Sequence, residues 1–343
     1  MPPCSPDLNP IEQALAKTKH WGAKPEALGE PPILPEDEME RVIEQMRRMS
    51  YGLAPNSSES AMTQWTADHA VSRDGTIIGY RQIGAGPSLV LLAGGMQSSR
   101  NFSQLAELLA DRFTLHVPDR RGRGLSGPPG LDYGIDSEVD DLSAVLAQTG
   151  ARDVFALSSG AIATLWTALR RPQALGRIAL YEPPVPVGTP SPLDFVQRYE
   201  RELAAGNLAA AMATVMKGTR DRRDWFTGLP RLLLVPIMGM ALRGSGEEAT
   251  AIRELVPTFR HDAQLIAATA GQVQRFSAIR IPVLLMGGDN SNPYLPMALD
   301  ALQHGLPQAE RVELKGVGHI AADNVGKPKL VASELRRFFA EPV

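Results

Sequence analysis

The sequence predicts an α/β fold with a mostly parallel central sheet flanked by helices. From about Trp65 onward, apolar runs of strand length alternate with helical segments. Most of these runs are apolar at nearly every position, which is typical of parallel strands buried on both faces. One long stretch, residues 184–270, contains no strand-like run, so an all-helical insertion is expected there.

The elements are expected in a regular order along residues 65–343. The first is a hairpin in HAVSRDGTIIGYRQIG (69–84), because Asp74-Gly75 between two apolar segments is a strong signal for a tight turn. The later strands and helices are predicted, in chain order, at SLVLLAGG (88–95), FSQLAELLA, FTLHVPD (113–119), EVDDLSAVLAQTG (138–150), DVFALS (153–158), IATLWTALR, RIALYEP (177–183), IPVLLMGG (281–288), RVELKG (311–316) and LVASELRRFFA.

This order divides the chain into a core and a helical cap. The core comprises residues 65–183 and 271–343, and the cap comprises residues 184–270, inserted after the sixth strand. An insertion at this point is a candidate lid. Residues 32–64 are expected to hold a short helix and a linker, since Pro35 followed by three acidic residues is a typical helix start.

The composition is that of an ordinary soluble protein, with 43% hydrophobic and 21% charged residues and a net charge of −3. Without an excess of basic charge, no binding to nucleic acid or to an anionic membrane is expected. The sequence shows neither a signal peptide nor an apolar run long enough to span a bilayer, so a cytoplasmic location is predicted. Cys4 is the only cysteine, which excludes an internal disulfide. The expected partner is a small-molecule substrate, and homo-oligomerisation is left open.

The N-terminal stretch PPCSPDLNPIEQALAKTK (2–19) resembles the last catalytic segment of DDE-type insertion-sequence transposases. In that family Glu12 would be the third of three metal-binding acids. One carboxylate cannot hold the pair of metal ions that phosphoryl transfer uses, and the rest of the chain follows another pattern. Residues 1–31 are therefore interpreted as a transposase-like remnant, or alternatively as the result of a start codon assigned too far upstream, with Met62 as the expected start. No metal site is expected, since no cysteine and histidine cluster has ligand spacing.

Ser158 is the predicted nucleophile, because it stands where the strand DVFALS runs directly into a helical segment. The sequence there matches the nucleophile elbow, G-x-S-x-G, with Ala156 in place of the first glycine. Small residues two before and two after the serine let the chain make the strained turn of this motif. The alternative interpretation is a strand that ends in Ser-Ser-Gly by chance.

His319 is the predicted general base, since a serine nucleophile needs a group that takes its proton. It lies in KGVGHIAAD, just after the last predicted strand, where a loop can bring it to Ser158. Of the other histidines, His116 lies in a predicted strand, and His20 and His69 lie before or at the start of the core. His261 lies in the insertion, and His304 lies near a helix end.

Two backbone N–H groups are expected to stabilise the oxyanion that forms during acyl transfer. The amide of Ser159, directly after the nucleophile, is one of them. The loop after SLVLLAGG offers the other, because Gly94 and Gly95 let the backbone approach a substrate closely. Taken alone, this loop is explained equally well as an ordinary glycine turn.

Residues 65–343 resemble the α/β-hydrolase fold family through four motifs that occur in the family's order. The motifs are LLAGGMQSS in the oxyanion loop, PDRRGRGLSG (118–127) in the Asp-x-x-Gly-x-Gly-x-Ser loop, LSSGA at the elbow and GVGHIA in the histidine loop. The oxyanion loop has Ala93 where the family usually has histidine. The resemblance implies that Gly95 is the second oxyanion donor and that Gly94 and Met96 border the substrate.

Gly122, Gly124 and Gly127 follow a strand with the spacing of the dinucleotide-binding motif G-x-G-x-x-G. Such a site requires a helix N-terminus to receive the pyrophosphate. Here Pro128-Pro129-Gly130 follow instead, so we expect no nucleotide and no other cofactor.

Two carboxylates compete for the role of orienting His319. The family most often places its acid after the strand IPVLLMGG, where Asp289 lies close to the usual position, although counting from Gly287 places that position on Asn290. Other members carry the acid one strand after the nucleophile, and Glu182 in RIALYEPP resembles that arrangement. Glu182 is preferred, and Asp289 is kept as the alternative acid.

The predicted activity is that of a serine hydrolase that cleaves a carboxylic ester or lactone through an acyl-enzyme. An apolar cap containing Trp225, Phe226, Met238 and Met240 favours a small, fairly hydrophobic substrate, with Trp225 and Met238 as contacts, although such residues more often form plain cap core. The alternatives are a carbon–carbon bond hydrolase, a cofactor-free perhydrolase with the same triad, and a non-catalytic ligand receptor on the same fold.

Overall fold

The computed structural model describes residues 64–340, with the exception of 225 and 307. The predicted transposase-like remnant (1–31) and nearly all of the predicted helix and linker (32–64) therefore lie outside the described residues. Within the described part the chain forms an eight-stranded, mostly parallel sheet flanked by helices, which confirms the predicted fold class.

The sheet has the strand order β1-β2-β4-β3-β5-β6-β7-β8. The pairs β1–β2 and β2–β4 are antiparallel, and all other neighbours are parallel. The strands are β1 (Thr66–Val71), β2 (Ile77–Ile83), β3 (Ser88–Leu92), β4 (Thr114–Pro118), β5 (Asp153–Leu157), β6 (Ile178–Tyr181), β7 (Val283–Gly288) and β8 (Ala309–Leu314).

The hairpin of β1 and β2 turns at the predicted Asp74-Gly75. The Ser72 N–H donates to the Thr76 carbonyl at 2.8 Å, and Gly75 adopts a positive φ of 84°, a conformation that glycine reaches without steric cost.

Helices cover both faces of the sheet. One face packs against α2, α3 and α9 and the other against α1 and α10, so apolar side chains of the central strands are buried on both sides. This two-sided burial is the physical reason for the continuous apolar runs of the sequence. The helices outside the insertion are α1 (Ser103–Leu109), α2 (Ile135–Thr149), α3 (Ser159–Arg170), α9 (Tyr294–Gly305) and α10 (Pro328–Ala340).

Five α-helices of the described chain lie between β6 and β7, in agreement with the predicted insertion after the sixth strand. We call them the inserted helices: α4 (Val196–Ala204), α5 (Leu208–Gly218), α6 (Arg231–Arg243), α7 (Glu247–Leu255) and α8 (Phe259–Ala268). They share a hydrophobic cluster of their own. Two members of the cluster are joined by a hydrogen bond from the Tyr199 hydroxyl to the Val256 carbonyl at 2.8 Å. No helix in the described part combines the length and the apolarity that a membrane crossing requires.

We expect replacement of Gly160 by alanine to destabilise the protein, because Gly160 lies at the start of α3 against the backbone that follows β3. A Cβ at this position would stand 2.5 Å from the Ala93 carbonyl oxygen and 2.9 Å from that of Leu92. Backbone cannot move aside as a flexible side chain does, so Gly160→Ala should lower the free energy of unfolding by about 1–3 kcal/mol. Urea denaturation of both proteins measures this difference.

The matched control is Gly239→Ala, a second glycine within a helix. A Cβ at Gly239 would meet only the Ala209 side chain, at an ordinary contact distance of 3.8 Å. Since alanine is the better helix former, this variant should be as stable as the wild type or more stable by up to about 1 kcal/mol. Equal stability of the two alanine variants would contradict the steric argument.

Candidate active site

Three predicted site residues meet at the carboxyl edge of the parallel strands. Ser158 follows β5, Glu182 follows β6, and His319 follows β8. The Oγ of Ser158 lies 3.0 Å from Nε2 of His319, and Nδ1 of His319 lies 2.8 Å from Oε2 of Glu182. Because parallel strands bring their carboxyl ends to the same edge, residues from distant parts of the sequence form one continuous hydrogen-bonded chain.

Ser158 stands in a sharp turn between β5 and α3. Its φ of 55° and ψ of −122° lie outside the regions that residues with a side chain usually adopt. The turn is held by a hydrogen bond from the Ser158 N–H to the Tyr181 carbonyl at 2.9 Å and by the first helical hydrogen bonds to the Ser158 carbonyl. Ala156, in place of the motif's first glycine, is fully buried within β5, so this position accepts a methyl group whereas Gly160 has no room for one.

Positive φ values of non-glycine residues concentrate in this region. In the described part of the chain such values occur at Met96 (54°), Ser158 (55°) and Glu182 (46°), which stand in the oxyanion loop, at the elbow and at the acid position. A backbone conformation with positive φ is costly for a residue with a Cβ, and it persists where the surrounding structure enforces it. The three predicted parts of the site are therefore also the three places where the backbone is strained.

Glu182 is fully buried, and its carboxylate is held from two sides. Oε1 accepts hydrogen bonds from the Gly288 N–H at 2.7 Å and from the Ser291 hydroxyl, which leaves Oε2 directed at His319. Asp289, the alternative acid, accepts a hydrogen bond from the Gly316 N–H at 2.7 Å. The structure thus places Glu182, and not Asp289, in hydrogen-bond contact with the His319 ring.

The pKa of His319 is raised above the usual histidine value. Burial is the largest single effect and lowers the pKa, but the hydrogen bond and the negative charge of Glu182 together outweigh it. The carboxylate of Asp221 adds a further upward contribution. A base with these neighbours accepts a proton more readily than an isolated buried imidazole does.

Asp221 also contacts the site, although its surroundings in the sequence do not indicate this. It lies in the loop between α5 and α6, and its two carboxylate oxygens stand 3.0 and 3.1 Å from the His319 backbone nitrogen, whose N–H they accept. Burial and the nearby charge of Glu182 raise its pKa to about 6, against the opposing hydrogen bond from His319. No sequence signal marks this aspartate, because its partner is a backbone N–H nearly one hundred residues further along the chain.

The oxyanion loop is held by hydrogen bonds of the Gln97 and Asp323 side chains. The Gly94 N–H donates to Oε1 of Gln97 at 2.9 Å, and Nε2 of Gln97 donates to Asp323 at 2.7 Å. Within the described residues, the N–H groups of Gly95 and Ser159 donate to no protein acceptor. These two amides are the ones predicted to bind the oxyanion.

The predicted substrate neighbours fall into two groups. A Cβ on Gly94 would stand 3.0 Å from the Cβ of Ser158, and Met96 packs against the cluster of the inserted helices, so both belong to the surroundings of the nucleophile. Met238 is fully buried within that cluster, and its contact with substrate stays a prediction. Trp225 lies outside the described residues.

Possible metal ligands do not cluster in the described part of the chain. No three histidine, cysteine, aspartate or glutamate side chains form a group that could hold a metal ion there. Glu12, the acid of the transposase-like stretch, lies outside the described residues.

A comparison with known proteins places this architecture in a family. A model of the alpha/beta hydrolase family matches residues 89–334. A solved alpha/beta hydrolase from Sphaerobacter thermophilus DSM 20745 is 30% identical, with a TM-score of 0.65, and the match covers 79% of this chain and all of that one. The chain therefore belongs to the alpha/beta hydrolase family.

Other relatives carry more specific names. Pimeloyl-(acyl-carrier protein) methyl ester esterase of Xanthomonas campestris pv. campestris is 28% identical over 265 residues, which cover 75% of this chain and 97% of that protein. The enol-lactonase of Burkholderia xenovorans LB400 shares the fold at 20% identity, with a TM-score of 0.60 and coverage of 80% and 100% of the two chains. Together with the family match, these similarities identify the protein as a hydrolase.

We expect removal of the Asp221 charge to lower the pKa of His319. In Asp221→Asn the side-chain carbonyl still accepts from the His319 N–H, but the negative charge that favours the imidazolium is gone. Neutral imidazole then persists to lower pH, so the pH profile of fluorophosphonate labelling at Ser158 should move its acidic limb downward.

The matched control for this measurement is Asp289→Asn, which removes an acid from the neighbouring β7 loop. Its carboxylate is bound to the Gly316 N–H, so the same limb should stay in place. A profile of Asp221→Asn that coincides with the wild type would show that the imidazole does not sense this carboxylate.

Proposed function

We propose that the protein is a serine hydrolase that cleaves a carboxylic ester or lactone through an acyl-enzyme. The observation that carries the proposal is the hydrogen-bonded chain from Ser158 through His319 to Glu182. Serine, histidine and carboxylate in this order are the arrangement that activates a hydroxyl as a nucleophile.

In the proposed first half-reaction, Oγ of Ser158 attacks the carbonyl carbon while Nε2 of His319 takes the hydroxyl proton. The resulting oxyanion accepts hydrogen bonds from the N–H groups of Ser159 and Gly95. Collapse of the tetrahedral intermediate breaks the bond to the leaving oxygen, which receives the proton from His319. Glu182 keeps Nδ1 protonated throughout and stabilises the imidazolium.

In the second half-reaction, water attacks the acyl-enzyme and His319 acts as the base again. The proton moves from water to Nε2 and then to Oγ of Ser158, which leaves as the free hydroxyl and releases the carboxylic acid. For a lactone the leaving alcohol and the acid are parts of one molecule, so the product is a single hydroxy acid.

A small, fairly hydrophobic substrate is the class that the surroundings of Ser158 favour. Met96, next to the proposed oxyanion donor Gly95, packs against the apolar cluster of the inserted helices. These helices serve, in this proposal, as a cap over the acyl group. The names of the relatives, a methyl ester esterase and an enol-lactonase, support the choice of an ester or lactone.

Two other activities share the same triad, namely hydrolysis of a carbon–carbon bond and cofactor-free perhydrolysis. A third candidate, a non-catalytic ligand receptor, needs the fold but no activated serine. The hydrogen-bonded chain from Ser158 through His319 to Glu182 favours an enzyme over a receptor, because ligand binding alone needs no base directed at the serine hydroxyl.

The first test of the proposed function is covalent labelling, which requires no knowledge of the substrate. We expect a fluorophosphonate to add one adduct to the wild-type protein, detected by intact-mass analysis, and none to Ser158→Ala. Ser143→Ala is the control, since this hydroxyl binds the Val139 carbonyl of its own helix α2 and takes no part in the site. An adduct on Ser158→Ala, or none on folded wild type, would count against the proposal.

The second test decides which acid orients His319. We expect Glu182→Ala to lower kcat for a p-nitrophenyl ester by about 10⁴-fold, as loss of the acid does in other serine hydrolases. Asp289→Ala should stay close to the wild-type rate, because its carboxylate binds the Gly316 N–H. Equal losses in the two variants would leave the assignment of Glu182 unsupported.

A further inference from the structure

A buried cluster of charges lies directly behind the nucleophile elbow. Arg120 and Arg123 come from the loop after β4, and Asp262 comes from α8, one of the inserted helices. Arg120 and Arg123 are each 4% exposed and Asp262 is 0% exposed. Charged side chains are rarely buried to this extent. Both arginines stand at positions that the Asp-x-x-Gly-x-Gly-x-Ser pattern leaves free, so the motif does not account for them.

Arg123 binds the peptide unit that carries the second predicted oxyanion donor. Its Nη1 donates to the Gly94 carbonyl oxygen at 2.7 Å. The Gly94 carbonyl and the Gly95 N–H belong to the same planar amide, so an arginine that fixes the oxygen also fixes the direction of the N–H. A hydrogen bond to the oxygen also polarises the amide and strengthens its N–H as a donor.

Asp262 in turn holds Arg123. Nη2 of Arg123 donates to both carboxylate oxygens of Asp262, each at 2.8 Å. The carboxylate lies so close to the oxyanion loop that a Cβ on Gly95 would stand 3.1 Å from Oδ2. Arg123 is therefore bound to the oxyanion loop on one side and to the inserted helix α8 on the other.

The Asp262 carboxylate also contacts Ser159, the residue after the proposed nucleophile. The hydroxyl of Ser159 donates to Oδ1 of Asp262 at 2.8 Å and accepts from Nη1 of Arg120 at 2.9 Å. The Ser159 amide is the first predicted oxyanion donor. One carboxylate from an inserted helix thus contacts Ser159 directly and contacts the Gly94–Gly95 peptide through Arg123.

The charges of the cluster keep Asp262 ionised. Burial opposes its ionisation, but Arg123 and Arg120 lower its pKa below the usual aspartate value. Arg120 is balanced on its other side by Glu138, with which it forms a hydrogen-bonded ion pair at 2.8 Å. Buried ion pairs of this kind contribute little to stability compared with packed apolar residues, so stability alone does not explain the arrangement.

We infer that Arg123 and Asp262 are positioning residues that set the oxyanion hole, and that helix α8 completes the hole by supplying the carboxylate. The inference rests on the proposed function, which assigns the Gly95 and Ser159 amides to the oxyanion. It adds that the inserted helices take part in transition-state stabilisation as well as in covering the substrate.

The test compares Arg123→Met and Asp262→Asn with the wild type in hydrolysis of p-nitrophenyl butyrate. We expect kcat to fall by about 10²-fold, the loss typical of a misplaced catalytic group, with KM little changed because ground-state binding does not use the oxyanion hole. Affinity for a trifluoromethyl ketone, whose adduct with Ser158 carries an oxyanion, should fall in parallel. A purely structural role would not couple these two losses.

The matched control is Arg121→Met in the same loop. Arg121 is 3% exposed and paired with Asp141 and Asp74, so its removal also unpairs buried charge, but none of its hydrogen-bond partners belongs to the oxyanion loop. We expect a comparable loss of stability with kcat close to the wild-type value. Arg123→Ala provides a second measurement in case Arg123→Met folds poorly, since added guanidinium ion should restore part of its kcat.

The outcomes separate this inference from the function on which it rests. Folded Arg123→Met and Asp262→Asn that match the wild type in kcat and in ketone affinity overturn the inference alone. The same holds if Arg121→Met loses as much kcat as Arg123→Met and guanidinium restores nothing. A wild type that neither labels with fluorophosphonate nor hydrolyses the ester overturns the proposed function, and the inference with it.

Discussion

At Ser158 the backbone passes from β5 into α3 through a φ of 55°, and the rest of the site is arranged around that turn. The turn presents the side chain at the carboxyl edge of the sheet and leaves the Ser159 N–H without a helical partner, so the proposed nucleophile and the proposed oxyanion donor arise from the same local geometry. It persists because α3 approaches the backbone after β3 closely enough to exclude any side chain at Gly160. The packing of one helix on one strand therefore enforces a conformation that an isolated peptide would avoid.

The inserted helices and their loops contact this site at two separate places. Asp221 accepts the His319 backbone N–H, and Asp262 binds both Ser159 and the arginine that holds the oxyanion loop. Asp262 is fully buried and Asp221 is partly buried, and their pKa values shift in opposite directions. Two arginines keep Asp262 ionised, whereas burial near Glu182 raises the pKa of Asp221 to about 6. The insertion is thus joined to the core by polar contacts at the site itself as well as by apolar packing.

Glu182 and Asp289 are distinguished by contacts that lie far apart in the sequence. Both acids follow a parallel strand and both were candidates from their positions in the chain. The distinguishing contacts are the Gly288 N–H and the Ser291 hydroxyl, which hold one oxygen of Glu182, and the Gly316 N–H, which holds Asp289 elsewhere. Each of these donors lies on a different strand or loop from its acceptor, so no local spacing encodes the outcome.

The sequence by itself determined the order of strands and helices and the insertion after the sixth strand, and it predicted Ser158 and His319, which the structure brings into hydrogen-bond contact. These features depend on local patterns: continuous apolar runs, a tight-turn signal, and small residues around a serine at the end of a strand. Only the tertiary structure decided that Asp221 and Asp262 reach the site and that Arg123 binds the Gly94 carbonyl. A buried charge is recognisable only from its partners, and here each partner lies about thirty to one hundred and forty residues away in the chain.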